Sequence, residues 1–322
     1  MCVALAVSSG ATGCNSDPPK EPTARAPSVV TPPAREEDTS YRLPARERVV
    51  AIGDLHGDLA ATRAALRLAG AIDDKDEWVG GALAVVQTGD QLDRGDDEPD
   101  ILALFQKLKE RAEKAGGAFY ALNGNHEVMN VAGDFRYVTQ DGFADYRGTP
   151  PSGPRAAELE RADLERRGRA AAFLPGGPVA KTLAERPVVL VVGDDVFVHG
   201  GVLPGHVRYG LAKINAETRA WMRGDAPRLP EVLNGDSAPI WTRDYSDGTP
   251  STEACARAES VLAELKAKRM VVGHTVQKNG IDSACGGKVW RIDVGLAKHY
   301  GGRTAVLEIR GGQVRPLTAP PQ

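Results

Sequence analysis

"VVQTGDQLDRGDD", residues 85–97, carries an apolar, β-favouring run straight into Gly89-Asp90 and then into Asp93-Arg94-Gly95. Two carboxylates and a guanidinium at the end of a buried strand are costly unless water or a strongly charged group meets them there. The pattern recurs. "RVVAIGD" leads into "LHGD" and brings Asp54 and His56, while "AFYALNGN" leads into "HE" and brings Asn125, His126 and Glu127. Between these runs, "LAATRAALRLAG" and "DILALFQKLKERAEKAGG" have helical apolar spacing. Strand and helix in regular alternation predict an α/β layered fold. Ligands in such folds collect at the carboxyl ends of the strands.

The second half of the chain repeats the theme. "RPVVLVVGDDVFVHGG" reads as a hairpin turning at Gly193-Asp194-Asp195 and ending at His199, and "KRMVVGHT" as a strand ending at His274. "KVWRIDVG" and "RTAVLEIRGGQVRPL" close the chain as strands, the last with a Gly-Gly hairpin turn. Four of the six histidines (His56, His126, His199 and His274) fall at or just past strand ends, whereas His206 and His299 read as ordinary surface or core residues. Residues 134–186 are Gly/Pro-rich and charged around one helical piece, and read as an insertion or lid within a domain spanning 46–318.

Composition limits the function. With 42% hydrophobic and 26% charged residues in 322, the chain can bury a proper core. A net charge of −3 excludes the basic excess of a nucleic-acid binder. No apolar run reaches membrane-span length. The opening "MCVALAVSSGATGC", residues 1–14, has the small residues of a signal or lipoprotein leader, with Cys14 as the lipidation site and membrane tether. Residues 15–45 are rich in Pro, Ser, Thr and charge and read as a disordered linker. Export to a periplasmic or membrane-anchored location follows from that leader, with the cytoplasm as the alternative. In an exported chain Cys255 and Cys285 could join or stay apart; spacing alone leaves both open.

Asp, His and Asn donors without thiolates favour manganese, with iron or zinc as alternatives. The set exceeds what one ion needs, so two divalent ions bridged by one carboxylate are expected, and Asp90, on the middle of the three leading strands, is the natural bridge.

"GDLHG", "GDQLDRG" and "GNHE", followed by lone histidines in "HGG" and "GHT", resemble the calcineurin-like metallophosphoesterases, and within them the PPP-type protein phosphatases. "APIWTRDYS", "MVVGHTVQKNGI" and "WRIDVGLAKHYGG" look most like the bacterial Shewanella-like branch. The resemblance spans roughly residues 48 to 310. It implies a β-sandwich of two mixed sheets flanked by helices. One metal would be held by Asp54, His56 and Asp90, and the second by Asp90, Asn125, His199 and His274. His126 would protonate the leaving oxygen with Asp93 orienting its ring, and Arg94 would clamp the phosphate. A second phosphate-binding arginine is expected, Arg243 in preference to Arg223.

Bland readings fit other residues: Asp58 as a helix cap, Glu127 as a support rather than a ligand, Asp194 and Asp195 as turn residues. Trp241, Trp290 and Tyr245 fit either pocket or core. The implied function is hydrolysis of phosphorylated protein or peptide, leaning to phosphotyrosine, by direct attack of a metal-bridging hydroxide. The alternatives are a small-molecule or dinucleotide phosphoesterase on the same fold, and a non-catalytic tethered binding lipoprotein.

Overall fold

Runs such as "VVAI" and "VLVV" lack polar alternation because both faces of each strand are covered. The computed structural model describes residues 40–151, 156–161 and 163–319, with the isolated positions 6 and 10. The chain divides into Met1–Glu37 and Asp38–Gln322, and the elements below lie in the second unit. Cys14, the rest of the leader apart from those two positions, and the linker up to residue 39 lie outside the described residues.

Eleven strands are described: β1 (Arg42–Leu43), β2 (Arg48–Ile52), β3 (Ala84–Gln87), β4 (Ala118–Ala121), β5 (Val189–Val192), β6 (Asp195–Val198), β7 (Arg269–Val272), β8 (Asp282–Ala284), β9 (Val289–Arg291), β10 (Ala305–Arg310) and β11 (Gln313–Thr318). They form two mixed sheets, ordered β11-β10-β2-β3-β4 and β1-β5-β6-β7-β9-β8. Strands β2, β3 and β4 run parallel, as do β6, β7 and β9. The helices are α1 (Leu59–Leu68), α2 (Glu98–Lys114), α3 (Asn125–Ala132), α4 (Gln140–Ala144), α5 (Ala156–Leu159), α6 (Leu164–Phe173), α7 (Pro178–Ala184), α8 (Pro204–Tyr209), α9 (Leu211–Arg223) and α10 (Thr252–Glu264).

Period-two alternation inside each run assigns side chains to layers. Val49 and Ala51 of β2 meet Leu190, Phe197 and Val271 between the sheets. Val50 and Ile52 point the other way, into a core with Leu66 of α1 and Ile101 and Leu108 of α2. In the second sheet Val191, Val196 and Val272 back onto Phe173 of α6, Leu183 of α7, Ile214 of α9 and Val261 of α10. The result is helix, sheet, sheet, helix, the two-sheet sandwich that the resemblance implied.

Helix ends are set locally. Asp58 caps α1 by accepting from the Ala61 amide at 2.9 Å, a contact worth about 1 kcal/mol. Cys255 on α10 and Cys285 form a disulfide with their Cα atoms 5.0 Å apart, closing the alternative left open by spacing.

Several sequence expectations are corrected. The linker does not extend to residue 45: Tyr41 is buried, and Arg42–Leu43 pair in parallel with β5. Asp195 is not a turn residue. It pairs with Val192 inside the hairpin and, buried, accepts from Arg269 Nε at 2.6 Å. The described residues between 134 and 186 include α4 to α7, and α6 and α7 contribute Phe173 and Leu183 to the core. Among the described residues no helix is long and apolar enough to cross a membrane.

Candidate active site and metal centre

The loops that follow β2, β3, β4, β6, β7 and β9 meet at one edge of the sandwich. The Leu55 and His56 amides donate to the Asp90 carbonyl at 2.9 and 3.0 Å, tying the first loop to the second. Glu127, fully buried, accepts from the amides of Asp90 (2.8 Å), Gln91 (2.9 Å) and Gly124 (2.7 Å), so it staples the second loop to the third as a support. The His126 amide donates to Asp90 Oδ1 at 3.0 Å. The loops approach so closely that a Cβ on Gly124 would lie 2.2 Å from Asp90 Oδ1, and one on Gly273 would lie 2.4 Å from Asp54 Oδ1.

Three imidazoles are fixed by backbone carbonyls. His56 Nδ1 donates to the Leu92 carbonyl (3.2 Å), His199 Nδ1 to the Thr88 carbonyl (3.1 Å) and His274 Nε2 to the Trp241 carbonyl (3.1 Å). Each bond commits one ring nitrogen and leaves the other as a lone pair, the usual arrangement behind a metal-binding histidine. Those lone pairs converge on carboxylates. His199 Nε2 lies 3.2 Å from Asp90 Oδ2, 2.8 Å from Asn125 Oδ1 and 3.2 Å from His274 Nδ1. His56 Nε2 lies 3.8 Å from Asp90 Oδ2 and 3.9 Å from Asp54 Oδ2.

His199 Nε2 and the three acceptor atoms around it repel one another unless a proton or a metal cation sits among them. Ligands each about 2.1 Å from one ion lie roughly 3–3.5 Å apart, which matches these separations. Two groups of donors, His56, Asp90 and His126, and Asp90, His199 and His274, have atoms within 4.8 Å of one another and share Asp90. The residues present therefore fit a dimetal site.

The electrostatics agree. Burial pushes the pKa of His56 down to about 3, so it presents its lone pair. Burial, then the neighbouring His199, pushes His274 down to about 2. Burial opposes a charge on His199 too, but the Asp90 and Asp54 carboxylates outweigh it and push it up to about 10. A metal cation held there would take the place of that proton. Asp54 is raised by burial and then by Asp293, and burial lifts Asp293 itself to about 6. Asp293 follows β9 and was missed, although "WRIDVG" ends a strand in the same way as the other motifs.

His126 differs in its second nitrogen. Nδ1 meets Asp93 Oδ2 at 2.5 Å, and Nε2 faces Asp90 Oδ2 at 3.8 Å. Burial works against its proton, but Asp90 and the Asp93 bond prevail and raise its pKa. Asp93 also accepts from Asn130 Nδ2 at 3.0 and 3.1 Å and from Arg169 Nη2 at 3.4 Å. Asn130 lies one helical turn after His126 on α3. Arg169 comes from α6, where no motif announces it.

Arg94 lies over the rings of Tyr137 (4.4 Å) and Tyr300 (5.3 Å), with Nη1 3.3 Å from His299 Nε2. Its buried Nε has no partner among the described residues. His299 and Lys298 line a pocket with His56, Asp58 and Arg94. His299 therefore stands at the mouth of the site, not on indifferent surface. Tyr245 is core, with its hydroxyl on the Val202 carbonyl, whereas Trp241 sets its ring edge-on to His274 at 5.7 Å. Of the two further arginines, Arg243 is exposed two residues beyond Trp241 and its charge is felt at His274. Arg223 is engaged elsewhere, in an ion pair with Glu185.

Residues 47–278 match the family model for calcineurin-like phosphoesterases. The chain is 42% identical to Shewanella-like protein phosphatase 2 of Arabidopsis thaliana, over 90% of this chain and 82% of the plant protein. It is 29% identical to Shewanella-like protein phosphatase 1 of Plasmodium berghei, over 78% of this chain and 67% of that protein. A cold-active protein-tyrosine phosphatase of a psychrophilic Shewanella has a similar structure, with a TM-score of 0.68 at 24% identity, covering 88% of this chain and 83% of that one. A mutant cold-active protein tyrosine phosphatase gives 0.70 at 25% identity, covering 87% and 80%.

Proposed function

The chain belongs to the calcineurin-like phosphoesterase family and is a metal-dependent phosphatase; on that premise we propose that it hydrolyses phosphate monoesters on protein side chains, tyrosine before serine or threonine. The observation that carries the reading is the convergence of two donor groups on Asp90, with one ring nitrogen of each of His56, His199 and His274 committed to a carbonyl. Two divalent ions, with manganese preferred, would be held by Asp54, His56 and Asp90 and by Asp90, Asn125, His199 and His274, and would supply an attacking water of lowered pKa.

The chain's own groups do the rest. Arg94 lines the pocket beside His56, where a forked cation holds two phosphate oxygens in place. Arg243 approaches from the His274 side as a second clamp. His126, with Nδ1 on Asp93, directs Nε2 into the site and gives a proton to the leaving oxygen. Water attacks in line, so no side chain carries the phosphoryl group.

The aromatic rim supports the tyrosine preference. Tyr300 packs against the His56 ring at 5.2 Å and Tyr137 against the His126 ring at 5.1 Å. A flat phenolic leaving group gains stacking there that an alkyl group does not. The Cys255–Cys285 bond suits folding in an oxidising compartment, in keeping with export.

The test is kcat/KM of the manganese-loaded full chain for a phosphotyrosine peptide, a phosphoserine peptide, a nucleotide monoester and an aryl diester. A clear lead for the phosphotyrosine peptide is expected. A flat profile, or a lead for the nucleotide or diester, sinks the protein-substrate reading and leaves the phosphatase chemistry standing.

A further inference from the structure

The Arg169 side chain is 0% exposed, and its guanidinium is saturated. Nε donates to Asn130 Oδ1 at 2.9 Å; Nη1 donates to Glu98 Oε2 at 2.7 Å and to the Gly142 carbonyl at 2.8 Å; Nη2 donates to Glu98 Oε1 at 3.0 Å and to Asp93 Oδ1 at 3.4 Å. Phe173 lies 4.4 Å and Tyr146 5.4 Å from its carbon, which closes the group off from water. Burying a guanidinium costs several kcal/mol even when paired, and apolar residues of similar volume often do as well for stability. A role in geometry explains its retention better.

The geometry has one focus, the Asp93 carboxylate. Asn130 holds both Asp93 oxygens, and Arg169 fixes Asn130 by taking its Oδ1, which turns Nδ2 towards Asp93. Glu98 Oε1 accepts from the Asp93 amide at 2.6 Å, and Arg169 holds Glu98 through both oxygens. Arg169 thus reaches Asp93 directly and through both of its other side-chain supports.

We propose that Arg169 is a positioning residue for the phosphatase reaction: it fixes the Asp93 carboxylate so that the His126 ring presents Nε2 to the leaving oxygen. Arg169 itself touches neither the substrate nor the metal donors. The inference rests on the reading of His126 as proton donor. It also makes the 134–186 segment, through α6, a contributor to the chemistry.

Leaving-group dependence tests it. In the full-length, manganese-loaded protein, kcat is compared for phenyl phosphate, whose phenol needs a proton to depart, and for 2,4-dinitrophenyl phosphate, whose phenol does not. His126→Asn is expected to lose about 10²–10⁴-fold on the phenyl ester and little on the dinitrophenyl ester. Arg169→Met combined with Glu98→Gln removes the charge pair together, so no lone buried charge remains. That variant is expected to lose about 10–100-fold on the phenyl ester, with the dinitrophenyl ester, KM and metal content nearly unchanged. Arg169→Lys, which keeps the charge but cannot span Asn130, Glu98 and Asp93 together, gives the same ratio if the double variant fails to fold. Equal losses on both esters, or none on either, in folded and metal-loaded protein overturn the role of Arg169. A His126→Asn enzyme with no leaving-group dependence overturns the His126 reading instead.

Discussion

His56, Asp90, Asp93, Arg94 and His274 all have left-handed backbone, with φ between 45° and 70°, and they make up five of the eight non-glycine residues so placed among those described. Each such residue costs on the order of 1–2 kcal/mol, so the surrounding loops must over-determine these positions. The strain turns successive side chains of a tight loop towards one point, which is why Asp90, Asp93 and Arg94 serve one cleft from within five consecutive positions. Asp90→Asn keeps the shape but removes the charge shared by both metal groups. It is expected to bind fewer than two metals per chain by elemental analysis and to lose nearly all activity. Arg94→Lys keeps the charge without the fork, and kcat is expected to fall about 10²–10³-fold, as for loss of one transition-state donor. These residues were legible because charge at the end of an apolar run is anomalous. Arg169 was not, because an arginine in a charged helix normally faces water, and only the tertiary fold shows that this one does not. His299 was passed over for a related reason: nothing local marks "KHY" as the rim of a pocket that three distant loops create.

Strands covered on both faces read clearly as uninterrupted apolar runs, and α1 and α2 could be read from their spacing. The two-residue β1 and three-residue β8 carry too few side chains to show a period, and their pairing is set by neighbours distant in sequence. Strand β10 joins β2 and β11 through one buried carboxylate, Glu308, which accepts from Arg48 Nε at 2.6 Å and Arg315 Nε at 2.5 Å. Burial alone would raise its pKa, but the two guanidinium bonds outweigh burial and hold it below the usual range. A depressed folded-state pKa stabilises above the unfolded value near 4.5, and that contribution vanishes as pH falls through the folded value. Glu308→Gln is therefore expected to lower Tm at pH 7 and to approach wild type in acid; a Tm difference independent of pH would refute this. The Cys255–Cys285 bond closes a separation of 30 residues, and loop entropy puts its contribution at about 3–4 kcal/mol. Thermal scans with and without reductant, with Cys255→Ser as control, are expected to show that loss even in the absence of substrate.

Across the molecule, the candidate metal donors come from both layers of the sandwich. Asp54, Asp90 and Asn125 follow strands β2, β3 and β4 of one sheet, and His199 and His274 follow strands β6 and β7 of the other. Stripping metal with a chelator is expected to abolish hydrolysis and lower Tm, and added manganese to restore both; at 100 times Kd, a site that exists only in the folded state stabilises it by about 2.7 kcal/mol. A catalytic loss with an unmoved Tm would mean that the donors are held without the ions. The same division of ligands has a mechanical meaning. Residues 47 to 127 and 195 to 275 meet along a seam that bound ions would close like a clasp, so force applied across it would have to break coordination before it could shear the apolar interface. Pulled between β3 and β6 in an optical trap, the loaded protein should yield at a higher force than the stripped one, and the difference would weigh the clasp directly.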